Sequence, residues 1–441
     1  MCIKTDVKRT FIAITNITTS FALGVWTNKV LAFFFLIFIL LIFLRFYQIS
    51  TRNPFAWDQV DNAWAAKNLI VNHEFPLVGM VAKQNSGIFI GPAYYYMIAF
   101  FYWIFNLNPM ASGFFAGATS IFTFLVLFYV TKKIFSVGVA LIAVFINTVA
   151  FSGIIFDRVQ WPVNFIPAIS LLIFYSIYKI IIGKPRYVIL LAIALGFSFH
   201  IHFTSIYFPI MIFLSLIFFP KTKEMLKYSL IALPIFVVWL IPSIIAILQN
   251  QQHGSSILQY GNSYYHGFHL RRVLQLTSDA LIQFEHFFTF SILKPLKFIL
   301  PPLFIFVYLF KSLSKEKLAL CYLIALWFVI PWFVLSTYSG EISDYYFVAN
   351  RFIALVIIAY LLAKIFLLKN LILQIILSCF LIYYSVFNIS KFFSYQEGGI
   401  YERSKKVFKA IKEGGEIGFQ EGVPESYLYY YYMRKKGKEV Y

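Results

Sequence analysis

The sequence predicts an all-α polytopic membrane protein: a bundle of about eleven transmembrane helices, a re-entrant or interfacial outer helix, and a small extracytoplasmic C-terminal tail. Three observations predict it. Of the 441 residues, 61% are hydrophobic and only 12% charged, with a mean hydropathy of +0.78, a balance outside the range of water-soluble domains. The apolar residues fall in runs close to the roughly 20 residues that a spanning helix needs. The net charge of +19 sits in short segments between those runs and alternates in density from one segment to the next, which is the positive-inside pattern and not a nucleic-acid footprint. Cys2, Cys321 and Cys379 are scattered, with neither disulfide nor metal spacing.

Residues 1–29 read as a cytosolic or interfacial leader, of which Phe11 to Thr27 is mildly apolar and rich in Thr and Asn. Val30 to Ile49 is of full span length and lacks a small-residue cleavage site, so it reads as a retained helix and not a signal peptide. Further apolar runs follow at roughly 111–131, 137–155, 162–182, 187–201, 203–219, 228–248, 291–310, 318–338, 347–367 and 371–390. Residues 30–390 are therefore the transmembrane domain, with a long first outer loop at 50–110, and residues 391–441 are a small tail.

The run Pro92 to Phe105 is too short to cross. If it nevertheless crosses, Lys132 and Lys133 fall outside; if it dips into the outer interface and returns, they fall inside. The second choice also puts Lys179, Lys184, Arg186, Lys221, Lys223, Lys227, Lys315, Lys317 and Lys364 on the inner side, so it is preferred. It predicts two short helices between Tyr187 and Phe219, turning near His202. It places Asp58, Asp61, Glu74, Asp157, Arg158, His200, His202, Asp279, Glu285, Glu341 and Asp344 outside, and no acid at mid-bilayer, where an ion-coupled transporter would need one. The N-terminus is then cytosolic, and the polar chemistry and the C-terminus are extracytoplasmic, in a plasma or inner membrane.

The first outer loop holds the best candidates. Asp58 opens a helical segment, Asp58 to Asn72, with Val60, Ala63, Trp64, Lys67, Ile70 and Val71 on one face and Asp58 and Asp61 on the other. Asp58 reads either as a helix cap or as a general base whose pKa is raised by burial near Trp57 and the tyrosines; the two roles are compatible, and Asp61 is the second catalytic candidate. Gly91-Pro92-Ala93-Tyr94-Tyr95-Tyr96 starts a helix with proline at its first position and offers Tyr94 and Tyr95 either to an aromatic belt or to a sugar. Phe156-Asp157-Arg158-Val159-Gln160-Trp161-Pro162 offers either a local Asp157–Arg158 pair or Arg158 for a phosphate and Asp157 and Trp161 for a sugar or prenyl group. His202 at an outer turn is a hydrogen-bonding candidate, while His200 and His202, two apart with no third ligand, are no metal site. Arg271 and Arg272 are a solvated pair or a phosphate contact. Asp344 and Tyr345 lie on the last outer loop, and Arg351 beyond them needs a partner, which Asp344 or a phosphate would supply. Gly113 and Gly117 read as helix packing.

An acid shortly after the first span, an amphipathic outer helix and then Gly91-Pro92-Ala93-Tyr94-Tyr95-Tyr96 resemble the GT-C superfamily of polyprenyl-phosphate-sugar-dependent glycosyltransferases, in particular its protein O-mannosyltransferase and aminoarabinose-transferase-like branch. Asp157-Arg158, Trp161-Pro162, Asn164, the His202-Phe203-Thr204 turn and Asp344-Tyr345-Tyr346 are similar as well. The resemblance covers about residues 30–390. It implies a helical bundle with the catalytic acid in the first outer loop, here Asp58, and an inverting transfer from a polyprenyl-phosphate monosaccharide. The sequence departs from the family at Gln59, where a second acid is common, and at Gly91, where His or Lys is common, so the phosphate contact falls to Lys83, Arg158 or Arg351. The acids are too few and isolated to cage a metal, and no cofactor is expected beyond the lipid-linked donor. The expected partners are a polyprenyl-phosphate sugar, membrane lipids and a glycan, lipid or protein acceptor, with no nucleic acid. The alternative is a transporter or flippase of lipid-linked sugars, for which repeated halves and charges inside the bundle would be expected.

Overall fold

The computed structural model of the protein describes residues 28–81, 88–249, 254–265, 267–310, 312–368, 370–396 and 398–438. Residues 1–27 of the expected leader therefore lie outside the described residues, and so does Lys83.

The apolar runs form helices because inside a membrane the backbone polar groups must find their partners within the segment. The described helices are α1 Asn28–Phe46, α2 Asp58–Val71, α3 Ala93–Ile104, α4 Ala111–Ile134, α5 Val137–Val149, α6 Phe151–Arg158, α7 Ile166–Ile181, α8 Tyr187–Ser198, α9 Tyr207–Ser215, α10 Lys223–Leu248, α11 Gly254–Tyr264, α12 Leu270–Leu276, α13 Leu300–Leu309, α14 Lys315–Ser336, α15 Arg351–Phe366, α16 Leu371–Ser394, α17 Ile400–Lys412 and α18 Pro424–Lys435. Among the described residues, seven helical stretches are long and apolar enough to cross a membrane, or nine when two bent pairs are each taken as one span. One bent pair is α5 with α6, turned by 71°. The expected eleven are reached only by adding the short apolar helices at Tyr187–Ser198 and Phe203–Phe218, which are the two short helices the charge pattern predicts.

The centre of the bundle is α7, 94% buried over its span window, with α15 at 83%. Helix α7 packs with α4, α14 and α15, and α15 packs in turn with α5; the fully buried Trp327 on α14 donates from its indole to Ser170 Oγ on α7 at 2.7 Å. By contrast α10 and α16 are 11% and 17% buried and expose rows of Leu, Ile and Phe, the surface expected to face lipid. Gly113 and Gly117 bring α4 against the end of α1: a Cβ on Gly117 would lie 2.3 Å from the Phe46 ring, and one on Gly113 2.5 Å from Ile49. The glycine pair is helix packing, as expected.

Helix α3 is 12 residues long and does not cross. Its start is tied to the turn after α8, where the Ala93 amide donates to His200 Nδ1 at 3.2 Å and the Gly91 amide to the Phe199 carbonyl at 3.0 Å. Just past its end, the Leu107 carbonyl accepts from Tyr427 Oη in the tail at 3.0 Å. Both ends of α3 thus meet elements at the same end of the bundle, the geometry of a re-entrant helix. Gly91 is required by this docking: a Cβ there would stand 2.2 Å from His200 Nδ1.

Candidate active site

The site is assembled where α2 meets the turn between α6 and α7 and the loop before α15. Trp57, with φ of +45°, precedes Asp58, and its carbonyl accepts from the Val60 and Asp61 amides at 2.9 and 3.0 Å to open α2. Gln59 reaches back, its Oε1 accepting from the Ala56 amide at 3.2 Å while its Nε2 donates to the Gln160 carbonyl at 3.0 Å. A glutamate could not make the second bond. Gln59 therefore ties α2 to the α6–α7 turn and stands in for no second catalytic acid. The expected buried face of α2 is found at Val60, Ala63, Trp64 and Lys67, while Val71 is exposed.

Asp58 is half-buried. Burial raises its carboxyl pKa, and a hydrogen bond from the Trp161 indole opposes the rise. The Trp161 ring stands edge-on to Tyr345, centroids 4.9 Å apart, and Tyr345 meets the His202 ring at 5.6 Å. His202 Nδ1 accepts from the Thr204 amide at 3.2 Å, which fixes the turn before α9, and burial pushes its pKa down to about 4, so it is a neutral imidazole at neutral pH. Beneath Asp58, Tyr94 is buried and its hydroxyl accepts from Gln160 Nε2 at 3.1 Å. Asp58, Trp161, Tyr345, His202 and Tyr94, taken from five separate stretches, are thus brought to one place. Tyr95 is also close, within electrostatic range of Asp58 and Asp61.

Asp61 points elsewhere. Its Oδ1 accepts from the Gly422 amide in the tail at 2.8 Å. Burial raises its pKa, this bond lowers it, and Glu421 and Asp58 raise it further.

The arginines correct several expectations. The bend between α5 and α6 frees the Asn147 and Thr148 carbonyls, and Arg45 takes both, at 2.9 and 2.6 Å. The same guanidinium pairs with Asp157 at 2.7 Å, and Ser120 Oγ adds a bond to that carboxylate at 3.2 Å. Asp157 is thus the partner of Arg45 across the bundle. Arg158 donates to the Leu44, Arg45 and Tyr47 carbonyls at 2.9, 2.9 and 2.8 Å, capping the C-terminus of α1. Those bonds turn both terminal nitrogens of Arg158 onto the end of α1. Arg272 donates to the Gly340 carbonyl at 3.0 Å, and Arg271 is exposed. Neither is brought to Asp58 by any contact among the described residues.

Arg351 is the exception. It is 2% exposed, its guanidinium carbon lies 4.6 Å from the centroid of Phe156 and 5.1 Å from that of Phe287, and its Nη2 has no hydrogen-bond partner among the described residues. Its electrostatic partner is Asp157 and not the exposed Asp344, whose carbonyl accepts instead from Gln283 Nε2 at 3.1 Å. Phe156 also contacts Trp161, centroids 6.5 Å apart, so Arg351 sits two rings away from Asp58.

An apolar groove of about 470 Å³ runs between α3 and α4, lined by Met97, Phe100, Phe101, Phe115 and Phe122 and closed by Phe165. Phe165 and Phe115 both touch the Tyr94 ring, which joins the groove to the site. Among the described residues no three of His, Cys, Asp and Glu converge on a point that would hold a metal ion.

Sequence reasoning missed Arg45, Gln160 and Gly422. Arg45 carries the usual look of an interfacial arginine at a helix end, and no spacing links it to Asp157, 112 positions away.

The comparisons with known proteins agree with this architecture. Residues 90–247 match the model of the dolichyl-phosphate-mannose-protein mannosyltransferase family; the matched segment begins after Asp58. No curated protein matches the sequence. The fold is similar to that of ArnT from Cupriavidus metallidurans bound to undecaprenyl phosphate, at 9% identity and a TM-score of 0.54, over 92% of this chain and 75% of that one. It is also similar to the oligosaccharyltransferase AglB from Archaeoglobus fulgidus in complex with an inhibitory peptide and a dolichol-phosphate, at 12% identity and a TM-score of 0.55. That match covers 88% of this chain but 58% of the archaeal protein, so the chain spans little more than half of its length. The chain thus shares its fold with these membrane glycosyltransferases, and its residues 90–247 match the mannosyltransferase family model.

Proposed function

We propose that the protein is a glycosyltransferase that moves a monosaccharide from a polyprenyl-phosphate donor to an acceptor on the extracytoplasmic face, with inversion and with Asp58 as the general base. The observation that carries this reading is Asp58 itself: a half-buried carboxylate with a raised pKa, held by the Trp161 indole among Tyr94, Tyr345 and His202. A raised pKa favours proton transfer near working pH.

In the proposed step the acceptor hydroxyl oxygen attacks the anomeric carbon and its proton passes to Asp58. The bond from that carbon to the phosphate oxygen breaks, and its electron pair leaves with the polyprenyl phosphate. Arg351, buried with an open Nη2, supplies the charge that stabilises the leaving phosphate. The groove beside Tyr94 takes the prenyl chain, and Trp161 and Tyr345 offer ring faces to the sugar. The step uses neither metal nor cofactor. The relatives' bound lipid phosphates support a donor of this class.

The test is sugar release from polyprenyl-phosphate monosaccharides by purified protein, with crude envelope acceptors and EDTA throughout. Release by the wild type supports the reading. Absence of release together with donor scrambling between the leaflets of proteoliposomes would replace it with the flippase.

A further inference from the structure

We infer that the C-terminal segment is a working part of this active site: Gly422 grips the first turn of α2 through Trp57 and Asp61 and thereby sets the position of Asp58, which makes Asp61 a positioning residue. The inference rests on the proposed function and deepens it.

One glycine makes two opposed bonds to the start of α2. Its amide donates to Asp61 Oδ1 at 2.8 Å, and its carbonyl accepts from the Trp57 amide at 3.1 Å. Asp58 lies between the two gripped residues. Trp57 holds a φ of +45°, in the left-handed region that a residue with a side chain enters only when its surroundings impose it. The Gly422 carbonyl is one such constraint. Gly422 in turn has φ of +67°, and a Cβ there would stand 3.2 Å from the Trp57 ring. Backbone conformation and close approach both call for glycine.

The rest of the tail is built to present this glycine. Ser426 Oγ bonds the Gln420 and Val423 carbonyls at 3.0 and 2.8 Å, closing the turn, and Pro424 starts α18. The fully buried Tyr427 donates to the Leu107 carbonyl beyond α3. The Trp64 ring on α2 sits against Phe419, Tyr427 and Tyr430, with centroids 5.1, 5.2 and 5.3 Å away. The tail is therefore fastened to α2 from Trp57 to Lys67, and Gly422 bonds the residues on either side of Asp58.

A cap that merely adds stability and a clamp that positions Asp58 differ in one respect. Asparagine at 61 keeps the acceptor oxygen and loses the charge; alanine loses both. Amide hydrogen exchange at residues 57–61 and 422 is measured alongside kcat and KM on polyprenyl-phosphate monosaccharides, for wild type, Asp61→Asn, Asp61→Ala, Gly422→Ala and, as the inactive reference, Asp58→Asn. The inference expects Asp61→Asn to keep Gly422 protected and to lose only a few-fold in kcat. It expects Asp61→Ala and Gly422→Ala to lose that protection together with that of the 57–61 turn, and to lose on the order of 10²-fold in kcat, the scale of a small misplacement, with KM within about two-fold. An Asp61→Asn enzyme as inactive as Asp58→Asn, with Gly422 still protected, would show Asp61 doing chemistry and overturn the inference. So would a Gly422 amide opened in Asp61→Ala with kcat retained. If the wild type releases no sugar, the proposed function falls and the clamp stands on exchange alone: joint opening of Gly422 and the 57–61 turn supports it, and opening of Gly422 alone overturns it.

Discussion

The Trp161 indole donates to the Asp58 carboxylate, joining the turn between α6 and α7 to the first residue of α2. The two influences on Asp58 act in opposite directions: burial favours the protonated acid, and the indole favours the carboxylate. Trp161→Phe keeps the ring against Tyr345 and removes only the donor. The pKa of Asp58 should then rise further, and the acid limb of the kcat/KM profile should move to higher pH, with a fall in kcat of about ten-fold at neutral pH, about 1.4 kcal/mol. An acid limb that stays in place or moves down would contradict this.

The same carboxylate carries a stability cost. Its folded-state pKa lies above the ordinary 3.8, so the folded protein binds this proton more tightly than the unfolded chain does. Stability therefore falls as pH rises from about 4 through the raised value and stays lower above it. Asp58→Asn removes the charge and keeps an oxygen for Trp161. The variant should melt higher than wild type at pH 7, by on the order of 1–2 °C for a chain of this size, with the gap closing toward pH 4. Thermal unfolding followed across that range checks it.

Arg45 and Asp157 hold α1, α5 and α6 together by one buried pair. Asp157→Asn leaves the Arg45 charge in the bundle, and Arg45→Leu leaves the Asp157 charge. Each single change should cost about 3–5 kcal/mol, because a buried charge without its partner is the expensive state. The double variant should recover part of that loss in a double-mutant cycle. Additive losses would mean the two residues act independently.

Arg351→Gln should weaken binding of polyprenyl phosphate by at least about ten-fold, which is about 1.4 kcal/mol, while leaving the fold intact by circular dichroism. Fluorescence titration with the lipid phosphate measures it. Unaltered affinity would move the phosphate contact elsewhere.

Much of this architecture is legible in the chain. The apolar runs and the lysine distribution predict the re-entrant α3 and the two short helices near His202, because span length and charge sidedness are local properties that hydropathy records. Asp58, Trp161, Tyr94, Tyr345 and His202 are legible as candidates because each is a polar or aromatic group between the long apolar runs or at their ends. What is not legible is which arginine faces which carboxylate. Arg158 looks like a phosphate ligand and Arg45 like an interfacial anchor, yet Arg158 caps α1 and Arg45 is buried on Asp157. The role of Arg45 follows from the 71° bend between α5 and α6, and that of Arg158 from the open end of α1; both present carbonyls that no sequence pattern reports. The Gly422 contact lies 361 positions from Asp61 and is equally silent. Only Gly422-Val423-Pro424, a turn ahead of a helix, hints at a built structure there.

The central claim is that Asp58 takes the proton from the acceptor. Its most direct test is sugar release from a polyprenyl-phosphate monosaccharide by wild type and Asp58→Asn, with donor binding measured on the same preparations. The account predicts release by the wild type, a fall in kcat of about 10²–10⁴-fold in Asp58→Asn, the usual worth of a general base, and donor binding within a few-fold of wild type. Equal release by the two proteins would contradict it and move the base away from Asp58.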